Sequence, residues 1–361
     1  MQEIATPAMV IDAQVAQRNI ERLAKYAAKY DIGVRPHTKT HKSQRLSAMQ
    51  IAAGAVGLTA AKVGEAEIMA EVSDDILLAY PAVDPARTHR IARLAAHRTV
   101  RVGVDSQVAA AALSEAASSG GATIGILVDI DVGLGRTGVQ TPVESLRLAQ
   151  YVDSAPGLRL DGIMCYPGHI AVPIDQQEEP LHRVASRLSE TLKLWDRHGL
   201  EARIVSGGST PTAFQSHLVP QFSEIRPGTY VYNDMNTVRG GFCSLDDVAA
   251  RIICTVVSTA VPGQVVIDAG SKTLTSDRCN PAPDSGHGYV LEYPDARIIR
   301  LSEEHGQVDV RACPQPPKVG ERVTVVPNHI CPCVNLQDSV WWRLPDGSLE
   351  PLKIDARGKL S

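Results

Sequence analysis

The 361-residue chain contains no uncharged apolar run of about 18 residues or more, so it carries no transmembrane helix. It also has no excess of one charge. Lys and Arg number 36 against 40 Asp and Glu, a net charge of −4, which excludes a nucleic-acid glove or a membrane-surface binder. A disulfide framework is missing too. The seven cysteines are an odd set, all from Cys165 onward, which points to a reducing cytoplasm and to thiols that pack or bind metal. The opening Met1-Gln2-Glu3-Ile4-Ala5-Thr6-Pro7 offers no basic and then apolar stretch, so no signal peptide is expected. Finally, the first expected strand ends in Arg35-Pro36-His37-Thr38-Lys39 rather than G-x-G-x-x-G, which argues against a nicotinamide cofactor.

What is present is a regular alternation. Strands are expected near Gly33–Lys39, Ala55–Ala61, Asp75–Pro81, Thr99–Asp105, Thr123–Val132, Leu158–Tyr166, Arg203–Gly207 and Glu224–Tyr232. Helical spacing falls between them, as in Ala13–Lys29 (Val15, Ile20, Leu23, Ala27) and Glu178–His198 (Leu181, Val184, Leu188, Leu192, Trp195). Eight such units predict an α/β fold, a closed (β/α)₈ TIM barrel. After about Asp234 the texture changes to short runs between Gly/Pro turns: Ala249–Val257, Gln264–Asp268, Gly288–Glu292 and Arg322–Val326. That predicts a C-terminal β-rich domain. The expected division is a barrel at 12–235 and a β-rich domain at 1–11 plus 236–361. The run Ala8–Ile11 reads as a strand of either domain.

Such barrels work at the C-terminal ends of their strands. The first expected strand end offers Arg35, His37 and Lys39 at period two, and a desolvated lysine there becomes a Schiff-base nucleophile. Lys39 and Lys42 read equally as a solvated basic pair. The fifth ends Asp131-Val132-Gly133-Leu134-Gly135-Arg136-Thr137-Gly138, where Arg136 offers a planar cation or an ordinary salt bridge. The sixth ends Tyr166-Pro167-Gly168-His169. Tyr166 suits a cofactor ring, and His169 is a candidate acid or base. The seventh runs into Ser206-Gly207-Gly208-Ser209-Thr210 and the eighth into Arg226-Pro227-Gly228-Thr229-Tyr230. Together they suggest a phosphate cup at a helix start. A lysine paired with a phosphate cup fits pyridoxal 5'-phosphate. In the second domain, His329 and Cys331 at i, i+2 project to one side of an extended segment and suit zinc. Buried thiols and a packed histidine remain the alternative.

The segment Arg35-Pro36-His37-Thr38-Lys39-Thr40-His41-Lys42 resembles the pyridoxal-lysine motif of the D-threonine aldolase and D-serine dehydratase family. Those are fold-type III enzymes with an alanine-racemase-like barrel and a C-terminal β domain. The resemblance spans nearly the whole chain, through Thr6-Pro7, Gly135–Gly138, Gly208-Ser209-Thr210, Pro227-Gly228-x-Tyr230, Asp268-Ala269-Gly270, Glu304-His305-Gly306 and Pro327-x-His329-x-Cys331. It implies that Lys39 binds the cofactor and that Lys42 does not. It assigns the phosphate to Gly208, Ser209, Thr210, Gly228 and Thr229, and the pyridine nitrogen to Arg226. Tyr166 then contacts the ring, with His37, Arg136 and Tyr230 as further cofactor-side candidates. His329 and Cys331 become the divalent-metal pair, favouring zinc, with manganese or magnesium as alternatives. The resemblance also implies a homodimer with an active site shared between subunits, acting on small D-amino acids.

The subfamily signals divide. His-x-Cys and Arg226 resemble the dehydratases. Asp131-Val132-Gly133-x-Gly135-Arg136, Asn335-Leu336-x-Asp338 and Asp355-Ala356-Arg357-Gly358 resemble the aldolases, and the whole-chain likeness leans that way. The expected function is therefore a metal-assisted lyase cleaving D-3-hydroxy amino acids to glycine and an aldehyde, with Lys39 and His169 as catalytic candidates. The alternatives are elimination to a 2-oxo acid and ammonia, an amino-acid racemase using Tyr289 or Tyr293, and a non-catalytic pyridoxal phosphate carrier.

Overall fold

Helical spacing at Ile20, Leu23 and Ala27 materialises in the computed structural model, which describes residues 4–361. The helix is Ala13–Lys29, with Ala16 rather than Val15 completing its buried face. Asp12 starts it by accepting the Val15 N–H at 3.0 Å. The chain divides into two compact units. One holds Glu21–Lys39, Ser43–Gly228 and Gly358–Ser361; the other holds residues 4–20, Thr40–Lys42 and Thr229–Arg357.

The first unit is the expected barrel. Its eight strands are Gly33–Val34, Leu58–Ala60, Asp75–Leu78, Thr99–Val104, Ile124–Ile130, Leu158–Cys165, Ile204–Gly207 and Glu224–Ile225. All neighbours pair in parallel, and the first strand also pairs with the eighth. Thr59 N–H donates to the Pro36 carbonyl and Val56 N–H to that of Val34, both at 2.9 Å, so the end strands meet and the ring closes. Ile124–Ile130 is buried at every position, as a strand covered on both faces requires. The first and eighth strands are far shorter than the apolar pattern predicts. Each is followed by Arg-Pro, Pro36 in one case and Pro227 in the other, and proline has no N–H for the ladder. Some of the connecting helices start on standard signals. Thr141 and Glu144 form a capping box around Pro142, and Asp84 caps Pro85–Ala95, each worth about 1 kcal/mol. The helix Glu178–Arg197 buries Leu181, Val184, Leu188, Thr191 and Trp195, so Thr191 takes the inner place expected of Leu192.

The second unit is a mostly antiparallel sheet. Its strands run in the order Arg297–Leu301, Gly306–Asp309, Gln264–Ile267, Ala250–Ser258, Ala8–Asp12, Ser339–Arg343, Leu349–Lys353. Arg322–Val326 pairs with both Ala250–Ser258 and Tyr289–Val290. Ala8–Asp12 lies between an antiparallel and a parallel neighbour in this sheet, which resolves its ambiguity. Among the described residues, no helix is long and apolar enough to cross a membrane.

Candidate functional site

In the barrel unit, Lys39 is exposed between buried Thr38 and Thr40. His37 is half-buried, and its Nδ1 accepts the Lys39 N–H at 3.4 Å. Lys42, by contrast, is buried, has a φ of 51°, and donates from Nζ to the Ala356 carbonyl at 3.4 Å. Arg35 does not share the environment of His37 and Lys39. It is buried, with Nε 2.9 Å from both Glu224 oxygens and Nη1 2.5 Å from Asp75. The ladder continues through Arg101 and Asp161 to Arg159.

Arg226 is buried at the end of the eighth strand. Its Nη2 donates to the Cys165 carbonyl at 2.8 Å and its Nη1 to Ser206 Oγ at 2.6 Å. Ser206 in turn donates to Glu224 at 2.6 Å. Burial lowers the Arg226 pKa against the pull of Cys165, Glu224 and Asp129, and burial pushes the Cys165 thiol up to about 12. The Arg136 guanidinium carbon lies 4.9 Å from the centre of the Tyr166 ring. His169 is exposed, and an added Cβ on Gly133 would come 2.9 Å from its Nε2. Burial and Arg183, opposed by Asp131, hold its pKa below the usual histidine value.

The seventh strand ends at Gly207. Gly208 follows with a φ of 74°, where a side chain would be strained, and an added Cβ would meet Ile225 at 2.9 Å. Ser209 Oγ is bonded to Thr212 Oγ1 at 3.0 Å, and Thr210 is half-buried. The helix expected there is a short 3₁₀ helix, Ala213–Leu218, preceded by Thr212. Gly228 and Tyr230 are buried. These residues fit a pyridoxal phosphate: one exposed primary amine, a pinned guanidinium, and small hydroxyl- and glycine-rich turns where the last strands end.

In the β-rich unit, His329 and Cys331 do not lie on an extended segment. His329 is extended at φ −137°, ψ 105°, but it immediately precedes the short helix Ile330–Asn335, whose first turn contains Cys331. The two side chains still meet. Burial lowers the His329 pKa, but hydrogen bonds to Cys331 and Asp277 outweigh it and raise it to about 9. His329 Nδ1 lies 2.7 Å from Asp277 Oδ2. Cys331 Sγ lies 3.2 Å from Thr40 Oγ1 and 3.8 Å from Thr229 Oγ1. Ile330 N–H donates to buried Asp234 at 3.1 Å. Cys333 is a packed thiol, bonded to the Leu274 and His329 carbonyls, and burial pushes its pKa up. Among the described residues, no cluster of three or more His, Cys, Asp or Glu forms a ready metal cage. An imidazole facing a thiol nonetheless suits a borderline-soft divalent ion with positions left for water or substrate. Sequence reasoning missed Asp277, Asp234 and Glu224, gave Thr40 no role, and put Ser206 with the phosphate cup, where the structure places it between Arg226 and Glu224. Asp277 lies 52 positions from His329 and Thr40 lies 291 from Cys331, so no local signal joins them.

The fold and these strand ends define an alanine-racemase-type protein: the alanine racemase N-terminal domain matches residues 11–236 and the serine dehydratase domain matches residues 249–342. Along its whole length the chain is similar to the D-threonine aldolase of an Arthrobacter species, at 30% identity over 98% of this chain and 93% of that one. It is 31% identical to the D-threo-3-hydroxyaspartate dehydratase of Delftia strain HT23 over 90% of each. The crystal structure of D-threonine aldolase from Filomicrobium marinum matches with a TM-score of 0.91 and 31% identity, over 99% of this chain and 97% of that one. The chain belongs to the D-threonine aldolase and D-serine dehydratase family, and it is an enzyme of that pyridoxal-phosphate-dependent lyase class.

Proposed function

We propose that the protein is a divalent-metal-assisted lyase that cleaves D-configured 3-hydroxy amino acids to glycine and an aldehyde. The observation that supports the metal-assisted reading is the setting of the pair: His329 Nδ1 lies 2.7 Å from Asp277 Oδ2, and Cys331 Sγ, two residues on, lies 3.2 Å from Thr40 Oγ1. Lys39 holds the cofactor, because its amine is exposed where that of Lys42 is buried. Gly208, Ser209, Thr210, Gly228 and Thr229 hold the phosphate. Arg226 would take the pyridine nitrogen of the bound cofactor, and Tyr166, Arg136, His37 and Tyr230 would border its ring. Bound pyridoxal phosphate supplies the electron sink for the pair left on Cα when a bond to it breaks. His329 and Cys331 hold the metal, whose chemistry is to lower the pKa of a hydroxyl it binds. His169 accepts the β-hydroxyl proton. Its lowered pKa keeps the imidazole neutral near pH 7, ready to act as a base.

A second reading, elimination to a 2-oxo acid and ammonia, is favoured by the His-x-Cys pair. The solved structures of the D-threo-3-hydroxyaspartate dehydratase include a histidine-to-alanine variant and a metal-free cysteine-to-alanine variant. The replaced positions are two apart, as His329 and Cys331 are. The racemase tyrosines gain no support. Tyr293 donates to Glu321, and Tyr289 packs against Met235, Val248, Cys279 and Val326. We take the working assembly to be a homodimer and the metal to be zinc. The test is to offer D- and L-threonine and D-serine to protein loaded with pyridoxal phosphate and zinc or manganese. Consumption of the D forms alone, lost on chelation, supports the proposal. Interconversion of the two enantiomers contradicts it.

A further inference from the structure

We propose that Asp277 positions His329 for metal binding, so that the β-rich unit holds its ion through a carboxylate–imidazole–metal arrangement. The inference rests on the reading of His329 and Cys331 as the metal pair. Asp277 Oδ2 lies 2.7 Å from His329 Nδ1. An Nδ1–H donated to a carboxylate fixes the ring and leaves Nε2 as the nitrogen that would ligate a metal, on loss of the proton it carries in the metal-free protein. The loop that carries Asp277 is itself held. The buried amide of Asn328, the residue before His329, donates to the carbonyls of Asp277 at 3.1 Å and Gly286 at 2.8 Å. Two residues before Asp277, Thr275 has φ 62° and ψ 173°. That conformation is unfavourable for a β-branched residue and persists where the surroundings dictate it. Beside the pair, Asp234 takes the Ile330 N–H and Thr40 meets the thiol.

Folding alone does not account for the contact. The His329 and Asp277 side chains are 41% and 46% exposed, and so open a pair adds little to stability. A fixed imidazole orientation matters far more to a metal than to the fold. Removing such a partner typically weakens metal binding by about 10–100-fold.

The test uses pyridoxal-phosphate-loaded protein stripped of metal by a chelator and titrated with zinc(II) against a chromophoric competitor. Asp277→Ala is expected to bind zinc about 10–100-fold more weakly, with an unchanged melting temperature and an unchanged cofactor spectrum. Asp277→Asn keeps an acceptor for Nδ1–H and is expected to recover part of the loss. Unchanged affinity in Asp277→Ala overturns the proposal if His329→Ala abolishes binding. An Asn variant as weak as the Ala variant also overturns it, because the carboxylate then acts through its charge or as a ligand. Unchanged affinity in His329→Ala overturns the metal-pair reading itself, and this inference with it.

Discussion

At the scale of single residues, two lysines three positions apart are told apart by their surroundings. Lys39 is exposed; Lys42 is buried, with Nζ on the Ala356 carbonyl. Lys39→Ala is therefore expected to abolish the visible band of the lysine-bound cofactor, and Lys42→Ala to retain it. Borohydride reduction followed by peptide mass spectrometry checks the assignment; an adduct on Lys42 would reverse it. His169 is the second residue-scale prediction. If it accepts the β-hydroxyl proton, His169→Ala lowers kcat by about 10²–10⁴-fold with little change in KM. A variant within threefold of the unchanged enzyme, by about that margin, removes His169 from the proton path. Both residues stood out in the sequence as candidates because they lie at or just beyond the ends of expected strands. Asp277 and Thr40 were not, because only the folded chain brings them to His329 and Cys331.

At the scale of elements, periodicity located helices and strands well and their ends less well. Ala13–Lys29 falls where the apolar spacing puts it. The first and eighth strands stop at Arg-Pro because proline ends the ladder, a local rule that the longer apolar pattern hid. The His329–Cys331 segment reads as extended by alternation yet starts a helix, anchored by Asp234 from 96 positions away. The barrel strands also carry a polar interior that apolar patterning does not announce. Arg101 and Arg159 hold Asp161 at 2.7 and 2.6 Å. Burial raises the pKa of Asp161, but these arginines outweigh it and leave it lowered. Its stabilisation is therefore complete above the unfolded value of about 3.9 and disappears as pH falls through the lower folded value. Asp161→Asn is expected to cost roughly 2 kcal/mol at pH 7, between exposed and fully buried pairs. The difference in melting temperature from the unchanged protein should shrink below about pH 4. A difference that stays constant to pH 3, to about half a unit, contradicts the assignment.

At the scale of the whole molecule, eight β/α units and a change to short Gly/Pro-bounded strands announced both architectures. The sheet that Ala8–Asp12 joins was not legible, since its partners Ala250–Ser258 and Ser339–Arg343 are remote in sequence. Exhaustive chelation is expected to stop turnover while the cofactor stays bound, and added zinc or manganese to restore it; full activity without metal would remove His329 and Cys331 from the chemistry. The reaction itself is decided by which bond to Cα breaks, and the products report that directly. Purified protein with pyridoxal phosphate and zinc would be incubated with D-threonine and the products identified by mass spectrometry. Glycine and acetaldehyde are the predicted result. A 2-oxo acid with ammonia would contradict it and establish the elimination instead.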